Sequence, residues 1–160
     1  MRLRDRAAVV TGGGRGIGRA IALALAREGA DVVVAARTRE QIDRVAEEIR
    51  ALGRRGIAVV CDVSDEEAVR AMMDAAVRSL GKVDILVNNV GIRGPILNVA
   101  EMDLRGWNET LAANLTGTML CSREALKYMI PRKTGVIISI SSDFGRRGIA
   151  TRSAYVCSKW

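Results

Sequence analysis

The chain has 160 residues, 49% hydrophobic and 27% charged, which places it among single-domain globular proteins. Histidine is absent, so histidine-based triads, histidine metal centres and histidine pH switches are excluded. The formal charge of +7 arises from 25 basic residues scattered among 18 acidic ones, with aromatics at 3%, and reads as a solvated surface rather than a nucleic-acid face.

Cys61, Cys121 and Cys157 are odd in number and too widely spaced for a CxxC pair, which implies reduced thiols in a cytoplasmic protein. The basic opening Met1-Arg2-Leu3-Arg4-Asp5-Arg6 runs straight into an apolar strand, and no long uncharged stretch follows. Neither a secretory leader nor a membrane span is therefore expected.

In chain order, Ala7 to Val10 is a short apolar strand, and Ile17 to Glu28 continues as a helix that is apolar nearly all round, as a buried helix would be. Asp31 to Ala36 is a Val-rich second strand. Ile42, Val45, Ile49 and Leu52 then recur at helical spacing, with Thr38 and Gln41 forming a capping box. Ile57 to Cys61 is a third strand, followed by a helix carrying Val69, Met72, Met73, Ala76, Val77 and Leu80, with Ser64 and Glu67 as its capping pair. Gly29, Gly53 and Gly81 close these three helices.

Val83 to Asn88 makes a fourth strand. Leu104 to about Ile130 reads as one long helix with Trp107, Leu111, Leu115 and Met119 on one side, ended by Pro131. Val136 to Ser141 is a fifth strand, and a last helix begins near Ser153. Apolar strands alternating with helices of this length predict a parallel sheet covered on both faces, a doubly wound α/β fold.

Chemistry first enters at Thr11-Gly12-Gly13-Gly14-Arg15-Gly16-Ile17-Gly18, between strand one and its helix. Gly12, Gly16 and Gly18 let the backbone turn sharply and approach a pyrophosphate that the helix N-terminus faces. A dinucleotide fold selecting NAD places an acidic residue after strand two to hold the ribose 2′-hydroxyl, but this chain has Ala35-Ala36-Arg37-Thr38-Arg39. Arg37, together with Arg15 in the glycine loop, could clamp a 2′-phosphate, so NADP(H) is expected over NAD(H).

Asn114, Ser142, Tyr155 and Lys159 form the second chemical signal. A spacing of four puts Tyr155 and Lys159 on one helix face, where the ammonium favours the phenolate and suits the tyrosine to proton transfer. Ser142, at the end of strand five, falls on the carboxyl edge of the sheet, within reach of a substrate carbonyl.

With these motifs in order, the chain resembles a short-chain dehydrogenase/reductase of the large classical group. The match includes Thr11-Gly12-x-x-x-Gly16-x-Gly18, Asp62-Val63, Asn88-Asn89-Val90-Gly91, Asn114, Ser142 and Tyr155-x-x-x-Lys159. The segments Ser141 to Gly148 and Ser158-Lys159-Trp160 are similar to 3-oxoacyl-carrier-protein reductase-like members, a group too broad to name a substrate. The resemblance implies that Asp62 and Val63 contact adenine, and that Asn89 and Gly91 line the adenosine side. It further implies that Asn114 holds a relay water, Ser142 orients the carbonyl, Tyr155 is the acid/base and Lys159 binds the nicotinamide ribose. Val90 stands where the family more often has alanine, a conservative change.

The resemblance implies an oxidoreductase that interconverts a small-molecule carbonyl and a secondary alcohol, homo-oligomeric as a dimer or tetramer, with no nucleic-acid or membrane partner. Family members continue beyond the Tyr155 helix with a sixth strand, a mobile substrate lid, further helices and a seventh strand. The expectation is thus a single, incomplete, C-terminally truncated NADP-binding domain whose fifth strand has an unpaired apolar edge. Two alternatives remain open: a catalytically impaired fragment, and a non-catalytic dinucleotide-binding protein, against which Tyr155 and Lys159 argue.

Overall fold

The computed structural model describes residues 1–160 and places β1 (Ala7–Thr11), β2 (Asp31–Ala36), β3 (Gly56–Val60), β4 (Ile85–Asn88) and β5 (Val136–Ser139) in one sheet of order β3-β2-β1-β4-β5. Every pairing is parallel, with Val9 opposite Val33 on one side and Leu86 on the other. The helices are α1 (Gly16–Arg27), α2 (Arg39–Ala51), α3 (Glu66–Leu80), α4 (Leu104–Leu111), α5 (Gly117–Met129) and α6 (Ser153–Lys159). This is the Rossmann-like doubly wound arrangement expected from the alternation of elements.

Strand alternation divides the core in two. Val9, Val33 and Leu86 face α3 and α5 with Met72, Met73 and Cys121. Ala8, Val10, Val32, Val34 and Val87 face α1 and α2 with Ala22, Val45 and Ile49. Each fully buried aliphatic side chain of this kind contributes on the order of 1.5–3 kcal/mol, so the central strands are held from both faces.

Two buried carboxylates staple the edges of the strands. Asp84, 3% exposed, accepts from the Ala7 N–H at 3.0 Å and Arg132 Nη2 at 2.5 Å, with Lys82 Nζ at 3.3 Å and Arg6 farther off. Asp31 accepts from the Arg55 N–H and Nε, and from Arg54.

Several local expectations are corrected. Strand β1 runs one residue past Val10, β3 is shifted one residue earlier than Ile57 to Cys61, and β4 and β5 are shorter than Val83 to Asn88 and Val136 to Ser141. Helix α1 is buried only along Gly18, Ala22, Leu23 and Ala26, leaving Ile17 66% exposed, so the all-round apolar pattern does not make it an interior helix. Thr38 is the N-cap of α2 but makes no side-chain capping bond. The cap of α3 is Asp65, whose carboxylate accepts from the N–H groups of Glu67 and Ala68, because Ser64 is drawn away to Asp62. Gly29, Gly53 and Gly81 do adopt left-handed backbone at the helix ends.

The long helix from Leu104 is not uniform: a π turn over Ala112–Thr116 separates α4 from α5. Its expected apolar side is only partly covered: Trp107 and Leu111 are half-buried, and Leu115 and Met119 stand about half exposed. Strand β5 lies at one edge of the sheet with Val136 and Ile138 exposed.

Candidate active site

The strand order reverses between β1 and β4, and the carboxyl ends of those strands open onto a cleft of about 610 Å³. Gly12, Gly14, Arg15, Gly16, Ile17, Gly18, Arg37, Asp62, Val63, Asn89 and Gly91 all line it, whereas Thr11, Tyr155 and Lys159, also expected to touch the cofactor, do not. Thr38, Gln41, Glu109 and Ala112 line it as well and were not anticipated as site residues.

Thr11 lies beneath the cleft. Its hydroxyl donates to the Val87 carbonyl and accepts from the Asn89 N–H, and Asn89 Nδ2 in turn donates to the carbonyls of Thr11 and Gly12. Asn89 is thus a clamp that fixes the glycine loop against β4. Gly12 and Gly16 take left-handed backbone, as the sharp turn requires. Gly18 has a different reason to be glycine, since a Cβ there would stand 2.2 Å from the Gly12 carbonyl oxygen and 2.5 Å from Asn89 Nδ2. The contact is with the loop's own backbone. Gly18→Ala is expected to lower stability by about 1–3 kcal/mol in denaturant unfolding, whereas Gly148→Ala, with open space around it, stays near wild type. Equal midpoints for the two variants would show that the loop yields.

The cleft suits an anion at the start of α1. That helix has no side-chain cap at Arg15 and no acidic residue in its first turn, so its N–H groups remain available. Helices α3 and α4, by contrast, are capped by Asp65 and Asp103. At the other end of the cleft Arg37 approaches Asp62 only loosely, at 3.7 Å with the arginine 74% exposed, a pair worth about 0–1 kcal/mol. The Asp62 carboxyl is held below its usual range by the Ser64 hydroxyl and N–H, with burial opposing and Arg37 assisting.

Asn114 is 3% exposed inside the π turn, where the wider backbone lets its carboxamide span two segments. Nδ2 donates to the Ile92 carbonyl at 2.9 Å and to Ser158 Oγ at 2.8 Å, while Oδ1 accepts from the Ile92 N–H at 2.8 Å. Oδ1 accepts that one bond, and a Cβ on Gly91 would stand 3.7 Å from it. The side chain therefore ties the loop after β4 to α6.

Lys159, in the last turn of α6, donates from Nζ to the Ile140 carbonyl at 2.9 Å, and a Cβ on Gly91 would lie 3.2 Å from the same nitrogen. The ammonium thus reaches the rim of the dinucleotide cleft, and burial lowers it from the usual lysine range. Tyr155 stands one turn earlier, packed edge-on against Phe144 with ring centroids 6.2 Å apart. It lines a second, smaller cavity of about 180 Å³.

Ser142 is not hydrogen-bonded to Tyr155. Its hydroxyl accepts from the Phe144 N–H at 3.3 Å and lies 3.2 Å from the Asp143 carboxylate, capping the turn Asp143–Gly145. Both contacts are at the long end of the normal range. The structure thus brings Asn114, Lys159 and Gly91 together directly, and holds Ser142 in its own turn.

The family model described as short chain dehydrogenase matches residues 6–160. Among curated proteins, the chain is 41% identical over 155 residues to cis-4-hydroxycyclohexanecarboxylate dehydrogenase of Sinomonas cyclohexanicum, covering 97% of this chain and 62% of that one. It is 39% identical over 155 residues to a 3-oxoacyl-[acyl-carrier-protein] reductase of Staphylococcus aureus, covering 96% and 63%. Among solved structures, NAD⁺-bound xylitol dehydrogenase superposes with a TM-score of 0.95 at 33% identity, covering 99% of this chain and 61% of that one. A 7α-hydroxysteroid dehydrogenase complexed with NADH and 7-oxo glycochenodeoxycholic acid superposes with a TM-score of 0.94 at 34% identity, covering 99% and 61%. The chain spans about three fifths of the length of these relatives. With the glycine loop, the β1/β4 cleft and the Tyr155–Lys159 helix in place, the family match identifies this chain as a member of the short-chain dehydrogenase family.

Proposed function

We propose that this chain binds NADP(H) in the β1/β4 cleft and carries the site of an oxidoreductase that interconverts a carbonyl and a secondary alcohol. The observation that carries the reading is Lys159 Nζ at the Gly91 rim, because it joins the helix bearing Tyr155 to the cleft of the glycine loop. Gly12, Gly14, Gly16, Gly18 and the open N-terminus of α1 would hold the pyrophosphate, with Asp62 and Val63 toward adenine. When bound, the nicotinamide supplies or accepts the hydride.

The proton falls to this chain's own residues. Tyr155 Oη gives a proton to the carbonyl oxygen in reduction and removes it from the alcohol in oxidation. The Lys159 ammonium, at the Gly91 rim, would hold the nicotinamide ribose. Asn114 fixes the Ile92 loop against Ser158 and keeps one Oδ1 lone pair for a relay water. Ser142 orients the carbonyl once its weak bonds to Asp143 and Phe144 are exchanged for the substrate.

The engagement of Ser142 in its own turn is what a binding-only protein would also show. Assaying purified chain with NADPH and a panel of ketones separates the readings. Formation of the secondary alcohol in step with NADPH loss supports the enzyme, and tight NADPH binding with no alcohol supports the binder.

Arg37, exposed and only loosely paired, together with Arg15 on the loop, favours a cofactor carrying a 2′-phosphate. Calorimetric titration should give an NADPH affinity about tenfold or more above that for NADH, with the order lost in Arg37→Asp. An NADPH to NADH ratio that does not move in the variant would remove Arg37 from cofactor selection.

A further inference from the structure

The cavity at Tyr155 has a composition that proton transfer does not require. Its volume is about 180 Å³ and its four lining residues are Arg93, Phe144, Arg152 and Tyr155. Two of these four carry guanidinium groups, and neither Arg93 nor Arg152 forms an ion pair or a side-chain hydrogen bond. The adjacent Arg147 behaves differently: its guanidinium is bound to Asp143 at 2.7 Å and lies over the Phe144 ring. The Asp143 carboxylate is thus taken by Arg147, and the two arginines that line the cavity have no carboxylate partner.

We propose that this pocket selects carbonyl substrates that carry a carboxylate, held between Arg93 and Arg152 while the hydrocarbon part rests on Phe144 and the reacting oxygen meets Tyr155. The proposal rests on the redox reading above only for the role of Tyr155. Two unneutralised guanidiniums around one cavity hold a positive potential that a carboxylate relieves through charge-assisted, bidentate bonds. The edge-on Phe144–Tyr155 pair supplies an apolar wall, which suits an organic acid and gives nothing to inorganic phosphate. The volume is below that of pockets for drug-sized ligands, so the fit is to a small oxo or hydroxy acid rather than to a bulky one.

The test is binding, read by chemical-shift titration of the full chain with levulinate, which has a ketone and a carboxylate, and with its neutral amide. Levulinate is expected to bind about tenfold tighter than the amide, and added salt is expected to weaken levulinate alone. Arg93→Gln and Arg152→Gln should each reduce levulinate affinity severalfold without changing the amide, and the double variant should lose the preference. Both side chains lack partners in the fold, so thermal unfolding of the variants should match wild type.

Equal affinity for acid and amide, a preference that survives in the double variant, or inorganic phosphate shifting the same resonances as strongly as levulinate would each overturn the proposal. Tyr155→Phe should keep the acid preference. A chain that prefers levulinate but forms no alcohol from it in the presence of NADPH would sink the redox reading and leave the pocket assignment standing. Turnover of neutral ketones with no preference for acids would do the reverse.

Discussion

Tyr155→Phe is expected to lower ketone-dependent oxidation of NADPH by about 10²- to 10⁴-fold, the usual worth of a positioned general acid, with dinucleotide affinity unchanged. The substitution removes only the hydroxyl. The ring keeps its edge-on packing against Phe144, and Tyr155 does not line the larger cleft in which the dinucleotide is proposed to sit. Initial rates of NADPH loss, paired with calorimetric affinity for the same cofactor, separate the two effects. A variant that retains wild-type turnover would take the proton-transfer role away from Tyr155. Weakened NADPH binding at unchanged turnover would instead mark the hydroxyl as a cofactor contact.

The second large effect concerns stability. Asp84→Ala is expected to cost about 3 kcal/mol, because it strips the partner from two partly exposed cations and leaves the Ala7 N–H unpaired. Burial alone would raise the Asp84 carboxyl, but bonds from Arg132, the Ala7 N–H and Lys82 outweigh it and hold the group below the usual aspartate range. The folded state then binds fewer protons than the unfolded chain in acid. The contribution of Asp84 is complete above the unfolded value of about 3.9 and fades as the pH falls through the lower folded value. Asp31, held down against burial by Arg55 and Arg54, adds to the same acid sensitivity. Urea unfolding at neutral pH and at successively lower pH should show stability falling with pH in wild type, and falling less steeply in Asp84→Asn. Parallel slopes would mean that Asp84 does not carry the acid response.

The fold was legible in the sequence where burial imposes a period. The valine runs of β1 and β2 are covered on both faces, so their hydrophobicity is continuous and marks them as central parallel strands. Period alone does not say what covers a face. Leu115 and Met119 follow the helical repeat and stand about half exposed, and Ile17 opens to solvent from a helix whose sequence looks internal. Caps were misread for a local reason: Ser64, Asp65 and Asp62 are all capable acceptors, and a turn that engages Ser64 with Asp62 leaves Asp65 for the helix.

The glycine loop and the Arg37 strand end could be found from spacing because phosphate binding needs backbone shape and charge at fixed offsets. The clamp role of Asn89 could not. It depends on a contact across 77 or 78 residues that no local pattern encodes. The turn that holds the Ser142 hydroxyl is likewise invisible in a string of residues, since serine at a strand end suits a substrate and a cap equally.

The π turn at Ala112–Thr116 absorbs one residue more than regular winding would hold. Deleting one residue there would restore regular winding and leave α5 in nearly the same phase, because a π turn spends about one more residue per rotation than an α turn, so Leu120, Cys121 and Ala125 would still face the sheet. The same change would drop Asn114 out of reach of Ile92 and Ser158. The extra residue therefore belongs to the candidate site and not to the core: it aims Asn114 across two segments while α5 stays seated on the sheet.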